Sequence, residues 1–151
     1  MRRLVILCAL GLAASAASAQ LPGLRKYPTT DKRQQGAPLA GIEAQRADFL
    51  AKSGSDTVYF GLGTAVLGAP AKATLAAQAA WLRQHGDVVV RIEGCGDGGD
   101  TRDHALALGA RRAEEVRDDL VLLGVPAAQL TTTSFGKERP GPARAVIVLV
   151  R

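Results

Sequence analysis

The sequence predicts an α/β fold of the two-layer α+β type, in which two helices cover one face of a mixed four-stranded sheet. Four short segments have the β-branched and aromatic composition of strands, and two longer segments with helical spacing of apolar residues separate the first three of them. The resulting order is β-α-β-α-β-β. Because each helix then serves as a crossover between strands, we expect both helices on the same face of the sheet.

The first half of this pattern contains two strands and one helix. Asp56–Leu62, with the sequence DTVYFGL, is predicted as a strand because of its β-branched and aromatic residues. Pro70 suits the first turn of a helix, leucines and alanines recur at helical spacing after it, and Gly86 ends it. Asp87–Gly94 contains three consecutive valines, which predicts a buried second strand.

The second helix follows a glycine-rich turn. Asp100, Thr101 and Asp103 supply side-chain oxygens and negative charge where a helix N-terminus favours them. Apolar residues then recur every three or four positions until Gly124, and Pro126 follows as a stop signal. The last two strands are predicted over Leu130–Gly136 and Ala143–Val150.

The N-terminal third of the chain has a different composition from the predicted domain. Residues 1–19 combine two arginines, an apolar run and a small-residue cleavage site, which predicts a secretory signal peptide. Residues 20–46 are predicted as a flexible tether, with a weak helical pattern over Pro38–Lys52, and the folded domain is expected over 47–151. The apolar run is shorter than the roughly 20 residues that cross a bilayer, so we expect no transmembrane span in the mature chain.

Charge and cysteine content exclude several classes of function. Without the signal peptide, 17 basic and 14 acidic residues remain, so the formal charge falls from +5 to +3. This charge is too small, and the six aromatic residues are too few, for a nucleic-acid-binding groove. Cys8 leaves with the signal peptide, and the residues before it lack the small side chains of a lipidation site. The remaining Cys95 can form no internal disulfide.

The turn contains a glycine motif that resembles a dinucleotide site. Gly94, Gly96 and Gly99 fit G-x-G-x-x-G after a strand and before a helix. A pyrophosphate, however, needs bare N–H groups and a positive helix end. Asp97 inside the turn and Asp100 at the helix start would repel it. The motif alone therefore does not predict nucleotide binding.

Metal binding is also not favoured. The carboxylates of the turn lack the order and the closing glutamate of a calcium loop. His85, Cys95 and His104 lack the spacing of a zinc site. We expect neither a metal nor a cofactor.

The same turn could instead bind a small zwitterion. Asp97 could accept an ammonium group, and an arginine on the following helix could donate two hydrogen bonds to a carboxylate. Helical spacing places Arg112 at the edge of the apolar stripe and Arg111 among acidic neighbours on the solvated face. From spacing alone, a charged outer helix face without a ligand is the favoured interpretation of both arginines, because exposed ion pairs are common and weak.

Longer stretches of the sequence resemble a known family, the OmpA-like peptidoglycan-binding domain, in the form found in peptidoglycan-associated lipoproteins (Pal). The resemblance covers about residues 47–151 and rests on the segments SDTVYF, LAAQAAWLRQHGDVVVRIEG, LALGARRAEEVRDDLVLLGV, SFGKERP and RAVIVLV. It implies two helices against a four-stranded sheet, in agreement with the elements above. It also implies non-covalent binding without catalysis, so we do not expect an enzyme.

The resemblance further implies a ligand and its contacts. In this family, an aspartate in the turn and an arginine fifteen residues later hold the diaminopimelate of the peptidoglycan stem peptide, and Asp97 and Arg112 have that separation. Gly96 and Gly98, which flank the aspartate, complete the predicted ligand-binding residues. The implied location is the periplasm, at the cell wall or the inner face of the outer membrane.

The sequence also departs from the family pattern. Gly61 and Gly63 replace two aspartates that follow the first strand in relatives, and Cys95 and Gly96 replace a histidine and a threonine. The resemblance nevertheless makes peptidoglycan the expected partner, with other envelope proteins as further partners. The alternative is a degenerate domain that has lost wall binding and serves as a protein–protein interaction module in the periplasm.

Overall fold

The described part of the chain begins with a long helix. A computed structural model describes residues 32–151, with side chains from residue 41 onward. Helix α1 spans Lys32–Ser53 and so extends beyond both ends of the predicted Pro38–Lys52 pattern. The predicted tether is thus helical from its thirteenth residue onward, whereas the predicted signal peptide and the first part of the tether lie outside the described residues.

The remaining elements follow in the predicted order, which confirms the fold class. A 3-10 turn over Ala127–Gln129 precedes the third strand. The other elements are β1 (Thr57–Tyr59), α2 (Ala69–Gln84), β2 (Val90–Cys95), α3 (Arg102–Leu122), β3 (Leu130–Gly136) and β4 (Arg144–Leu149).

The four strands form one mixed sheet in the order β1-β4-β2-β3. β4 is antiparallel to both of its neighbours, and β2 is parallel to β3. β1 and β2 therefore run in the same direction, and both helical connections join parallel strands. Since the two crossovers advance in the same direction across the sheet, right-handed connections place α2 and α3 on the same face.

The core lies between this face and the helices. Side chains of β4 alternate between buried and half-buried positions, as expected for a sheet covered on one face. Both helices contribute to the same apolar cluster, for example through Leu75, Leu82 and Val116, none of which has exposed surface. Among the described residues, no helix combines the length and apolarity needed to cross a membrane.

α3 approaches β2 unusually closely because glycines meet at the contact. A Cβ atom on Gly94 would lie 1.9 Å from the carbonyl oxygen of Gly109, and one on Gly109 would lie 2.5 Å from the Ser134 hydroxyl. Neither distance is possible for a real side chain. This contact brings the N-terminal half of α3 against the end of β2, where the predicted binding turn begins.

The opposite face of the sheet carries a buried carboxylate. Glu93 is 1% exposed and accepts hydrogen bonds from Arg91 at 2.7 Å and from Arg139. The Arg139 guanidinium also lies 3.8 Å from the centroid of the Phe135 ring. Two partly exposed arginines thus neutralise and cover Glu93, which explains how a carboxylate is tolerated there.

Candidate functional site

The predicted turn connects β2 to α3 and is held at both ends. The parallel register of β2 and β3 shifts at Gly94 and Cys95, and the Gly96 N–H donates to the Gly136 carbonyl at 2.7 Å. Thr101 caps α3, since its hydroxyl accepts the N–H of His104 at 3.3 Å. The cap confirms the helix start that the sequence predicts.

Gly96 fixes the turn against the helix. A Cβ atom at this position would lie 2.2 Å from the backbone oxygen of Ala105, so only glycine permits the approach. Gly96 is buried, and its N–H is used within the sheet, whereas Gly98 is exposed with open space around it. Of the two flanking glycines, therefore, Gly98 faces solvent and Gly96 packs against α3.

Arg112 projects from α3 into the protein and has no exposed surface. It lies one turn after Gly109 and one turn before Val116, both buried, so it belongs to the inward face of the helix. The neighbouring Arg111 is exposed, as its spacing predicts. A guanidinium that is buried this completely requires hydrogen-bond acceptors close by.

Four acceptors meet the Arg112 guanidinium. Its Nη1 donates to the Asp97 carboxylate and to the Cys95 carbonyl, each at 2.8 Å. Its Nε donates to the Thr64 carbonyl at 2.9 Å, and its Nη2 donates to the Gly61 carbonyl at 3.0 Å. Four of its five N–H donors are thereby used by described residues.

The Asp97 carboxylate joins the turn to α3 and to the loop that follows β1. One carboxylate oxygen accepts from Arg112, and the other accepts the backbone N–H of Gly63 at 2.5 Å. The side chain is 11% exposed, so the pair lies just beneath the surface. The structure thus brings together Asp97 and Arg112, the two predicted charged residues.

The surroundings of Asp97 shift its pKa. Burial acts to raise the pKa of this carboxyl, but hydrogen bonds from Arg112 and Gly63 and the charges of Arg112 and His104 outweigh it. The net effect holds the pKa below its ordinary value, so the carboxylate is charged at neutral pH. A charged Asp97 is the state that could accept an ammonium group.

Sequence reasoning missed the backbone groups of the site. The carbonyls of Gly61, Thr64 and Cys95 and the N–H of Gly63 all contact the charged pair. Gly61 and Gly63 drew attention only because they replace two aspartates of the family. The Gly61 and Thr64 carbonyls lie 51 and 48 residues before Arg112 in the chain. Gly63 lies 34 residues before Asp97, and no local pattern encodes such pairs.

The other chemically active side chains near the turn do not form a metal site. Among residues 32–151, no three or more His, Cys, Asp and Glu side chains cluster with metal-binding geometry. His104 Nε2 lies 3.5 Å from the Asp100 carboxylate, and both side chains are partly exposed. Cys95 is buried, and its carbonyl rather than its thiol contacts Arg112.

Sequence comparisons show which known proteins this chain is similar to. The model of the OmpA family matches residues 59–147. The "Peptidoglycan-associated lipoprotein" of Mesorhizobium japonicum is 43% identical over 101 residues, which cover 67% of this chain and 60% of that protein. The protein of the same name from Pseudomonas aeruginosa is 39% identical over 105 residues, which cover 70% of this chain and 62% of that protein. The chain thus spans about 60% of the length of these relatives.

Solved structures show the same fold. The crystal structure of the peptidoglycan-associated lipoprotein from Burkholderia pseudomallei is similar with a TM-score of 0.62 and 34% identity, over 64% of this chain and 92% of that chain. A putative MotB-like protein from Desulfovibrio vulgaris is similar with a TM-score of 0.60 over 76% of this chain and 96% of that chain. At 19% identity, the second similarity concerns the fold alone.

Proposed function

The chain belongs to the OmpA family, and from that membership we propose that it is a non-catalytic protein of the bacterial envelope that binds peptidoglycan. The relatives named above are peptidoglycan-associated lipoproteins, and the residues that match the family model, 59–147, include the turn and helix of the site. The proposed location is the periplasm, at the cell wall or the inner face of the outer membrane. Peptidoglycan is the proposed partner, with other envelope proteins as further partners.

One observation carries the proposal, namely the ion pair between Asp97 and Arg112 at 2.8 Å, just below the surface of the turn. An amino-acid end with an ammonium and a carboxylate, as in the diaminopimelate of a stem peptide, is complementary to such a pair. The ammonium would bind Asp97, and the carboxylate would bind the Arg112 guanidinium. Charge-assisted hydrogen bonds of this kind contribute about 1.5 to 3 kcal/mol each.

The turn itself would form the rim of the site. Gly98 is exposed and has no side chain, so a ligand can approach the backbone beside Asp97. Gly96 would act indirectly, because its close packing on α3 fixes the position of the turn. The proposed binding is non-covalent and uses no cofactor.

Retention of the purified protein on insoluble peptidoglycan sacculi tests this function. We expect Asp97→Asn to reduce the retained fraction by at least about tenfold, since it removes the charge that meets the ammonium while conserving the shape of the side chain. Asp103→Asn is the matched control because Asp103 is exposed in the first turn of α3. Soluble stem peptide that contains diaminopimelate should release the wild-type protein.

Two outcomes would contradict the proposal. Equal retention of wild type and Asp97→Asn would show that the ion pair is not part of the binding site. No retention of the wild type, together with a specific envelope protein captured by crosslinking in the periplasm, would favour the alternative of a protein–protein interaction module.

A further inference from the structure

A short loop covers the charged pair, and we call residues 61–64 the strap. The Gly61 and Thr64 carbonyls accept hydrogen bonds from Arg112, and the Gly63 N–H donates to Asp97. These three contacts engage the groups that the proposed function assigns to the ligand. The strap's N–H takes the place of a ligand ammonium on the aspartate, and its carbonyls take the place of a ligand carboxylate on the arginine.

The strap depends on glycine for its conformation. It forms a turn in which the Thr64 N–H approaches the Gly61 carbonyl at 3.4 Å, and Gly63, the third residue of the turn, has φ +66°. Residues with a Cβ atom avoid this left-handed region, so glycine is the natural residue there. A Cβ atom on Gly63 would meet no other atom, so the cost of a substitution would come from the backbone alone.

Few apolar contacts hold the strap down. Leu62 at its tip is 85% exposed, and both adjacent glycines are exposed. Its entrance is fixed, however, because the Phe60 N–H donates to the Ala143 carbonyl at 2.9 Å in the sheet. The strap can therefore leave the charged pair without uncovering an apolar core or breaking the sheet.

We propose that the strap is an internal competitor that closes the peptidoglycan site and must leave Asp97 and Arg112 before a stem peptide binds. This inference rests on the proposed function. The strap must leave because Arg112 has no exposed surface and only one N–H that described residues do not use. While the strap is closed, Arg112 therefore cannot donate two hydrogen bonds to a ligand carboxylate. The ligand's apparent affinity is then its intrinsic affinity multiplied by the fraction of open molecules.

Substitution of Gly63 tests the strap directly. In Gly63→Ala, the left-handed backbone disfavours the closed strap, so the dissociation constant for a soluble stem peptide should decrease by about five- to thirtyfold. Gly86→Ala is the matched control, because Gly86 is exposed, has open space for a Cβ atom and does not adopt positive φ. Its dissociation constant should equal that of the wild type.

Amide hydrogen exchange in the wild-type protein provides a second measurement that needs no substitution. The Gly63 amide should be protected in the free protein, because it donates to Asp97, and should lose protection when stem peptide saturates the site. The Lys72 amide, which donates to Gly68 in the first turn of α2, should be unaffected. This measurement decides the question if Gly63→Ala does not fold.

The possible results separate the strap from the proposed function. If the wild type binds stem peptide while the Gly63 amide stays protected, or if a folded Gly63→Ala binds no more tightly than the wild type, the strap is not a competitor and the proposed function stands. If neither the wild type nor Gly63→Ala binds stem peptide or sacculi, the proposed function fails, and the strap's role as a competitor fails with it.

Discussion

Arg112 is a charged side chain without exposed surface, and this burial determines how the site can be probed. Its removal would take one hydrogen-bond donor from each of the carbonyls of Gly61, Thr64 and Cys95 and would leave Asp97 without its counter-ion. Loss of one partner from a buried pair destabilises a protein by about 3 to 5 kcal/mol. Weaker binding by an Arg112 variant would thus mix lost ligand contacts with lost stability. Asp97→Asn also leaves a buried charge unpaired, but it keeps the guanidinium and its three backbone acceptors in place, so it changes the site less.

The lowered pKa of Asp97 predicts a pH-dependent contribution to stability. The carboxyl has a lower pKa in the folded protein than the roughly 3.9 expected in the unfolded chain, so the unfolded chain holds more protons between these two values. The contribution of Asp97 to the free energy of unfolding is then fully present above the unfolded value and is lost as pH falls through the folded value. Asp97→Asn removes it.

Urea unfolding of wild type and Asp97→Asn at a series of pH values measures this effect. The difference in the free energy of unfolding should be largest near neutral pH and should shrink as the pH falls below about 4. Asp103→Asn serves as the control for loss of an exposed carboxylate. If the difference in the free energy of unfolding between wild type and Asp97→Asn stays constant down to the lowest pH, the lowered pKa does not come from the ion pair of the folded protein.

The charged residues of the site could be predicted from the sequence, but their acceptors could not. Spacing on α3 separates Arg112 from Arg111, and the glycine-rich composition of 94–99 predicts a turn that carries Asp97. The spacing places Arg112 at the edge of the apolar stripe, whereas the structure buries it completely. The difference arises because backbone carbonyls from the strap and from β2 satisfy the guanidinium, and carbonyls carry no sequence signal.

At the scale of elements, the close contact between α3 and β2 positions the site. Gly109 on the helix and Gly94 on the strand let the two backbones meet, and this contact brings the side chain of Arg112, three residues further along α3, towards the end of β2. The two glycines thus contribute to the site although neither lies at its surface. A larger residue at either position would push the helix away from the sheet.

Two helical glycines provide a matched pair that tests this contact. Gly41→Ala in α1 should leave stability unchanged or raise it by up to about 1 kcal/mol, because alanine is the better helix former and a Cβ atom meets nothing there. Gly109→Ala in α3 should lower the free energy of unfolding by at least about 1 to 3 kcal/mol, because its Cβ atom would clash with Ser134 and with Gly94. Chemical denaturation measures both; equal effects would show that the helix can shift at no cost.

The limits of the elements show which boundaries the sequence encodes. α3 begins after Thr101 and ends before Gly124, and both limits agree with the local capping signals. β1, in contrast, ends at Tyr59 instead of Leu62, because the chain turns at Gly61 to reach Arg112. Such tertiary hydrogen bonds override strand propensity, and the sequence of the segment alone cannot reveal them.

In the molecule as a whole, α1 is attached to the domain through a small aromatic contact. Phe49 has no exposed surface, and its ring lies 5.2 Å from the ring of Trp81 on α2 in an edge-to-face arrangement. The Trp81 indole N–H donates to the Asp48 carboxylate at 2.7 Å. The C-terminal half of α1 therefore shares the core with α2, and residues 32–151 cluster as one compact unit.

This attachment predicts that α1 unfolds together with the sheet. Phe49→Ala should lower the free energy of unfolding by about 3 to 5 kcal/mol, whereas Leu122→Ala, at a position 84% exposed on α3, should change it by less than about 0.5 kcal/mol. Trp81 is the only tryptophan of the chain, so its fluorescence reports the α1–α2 contact, while far-UV circular dichroism reports all elements. Coincident denaturation curves from the two probes are expected for one cooperative domain. A fluorescence transition at lower denaturant than the dichroism transition would mean that α1 separates first, and the domain that carries the binding site would then begin after Ser53.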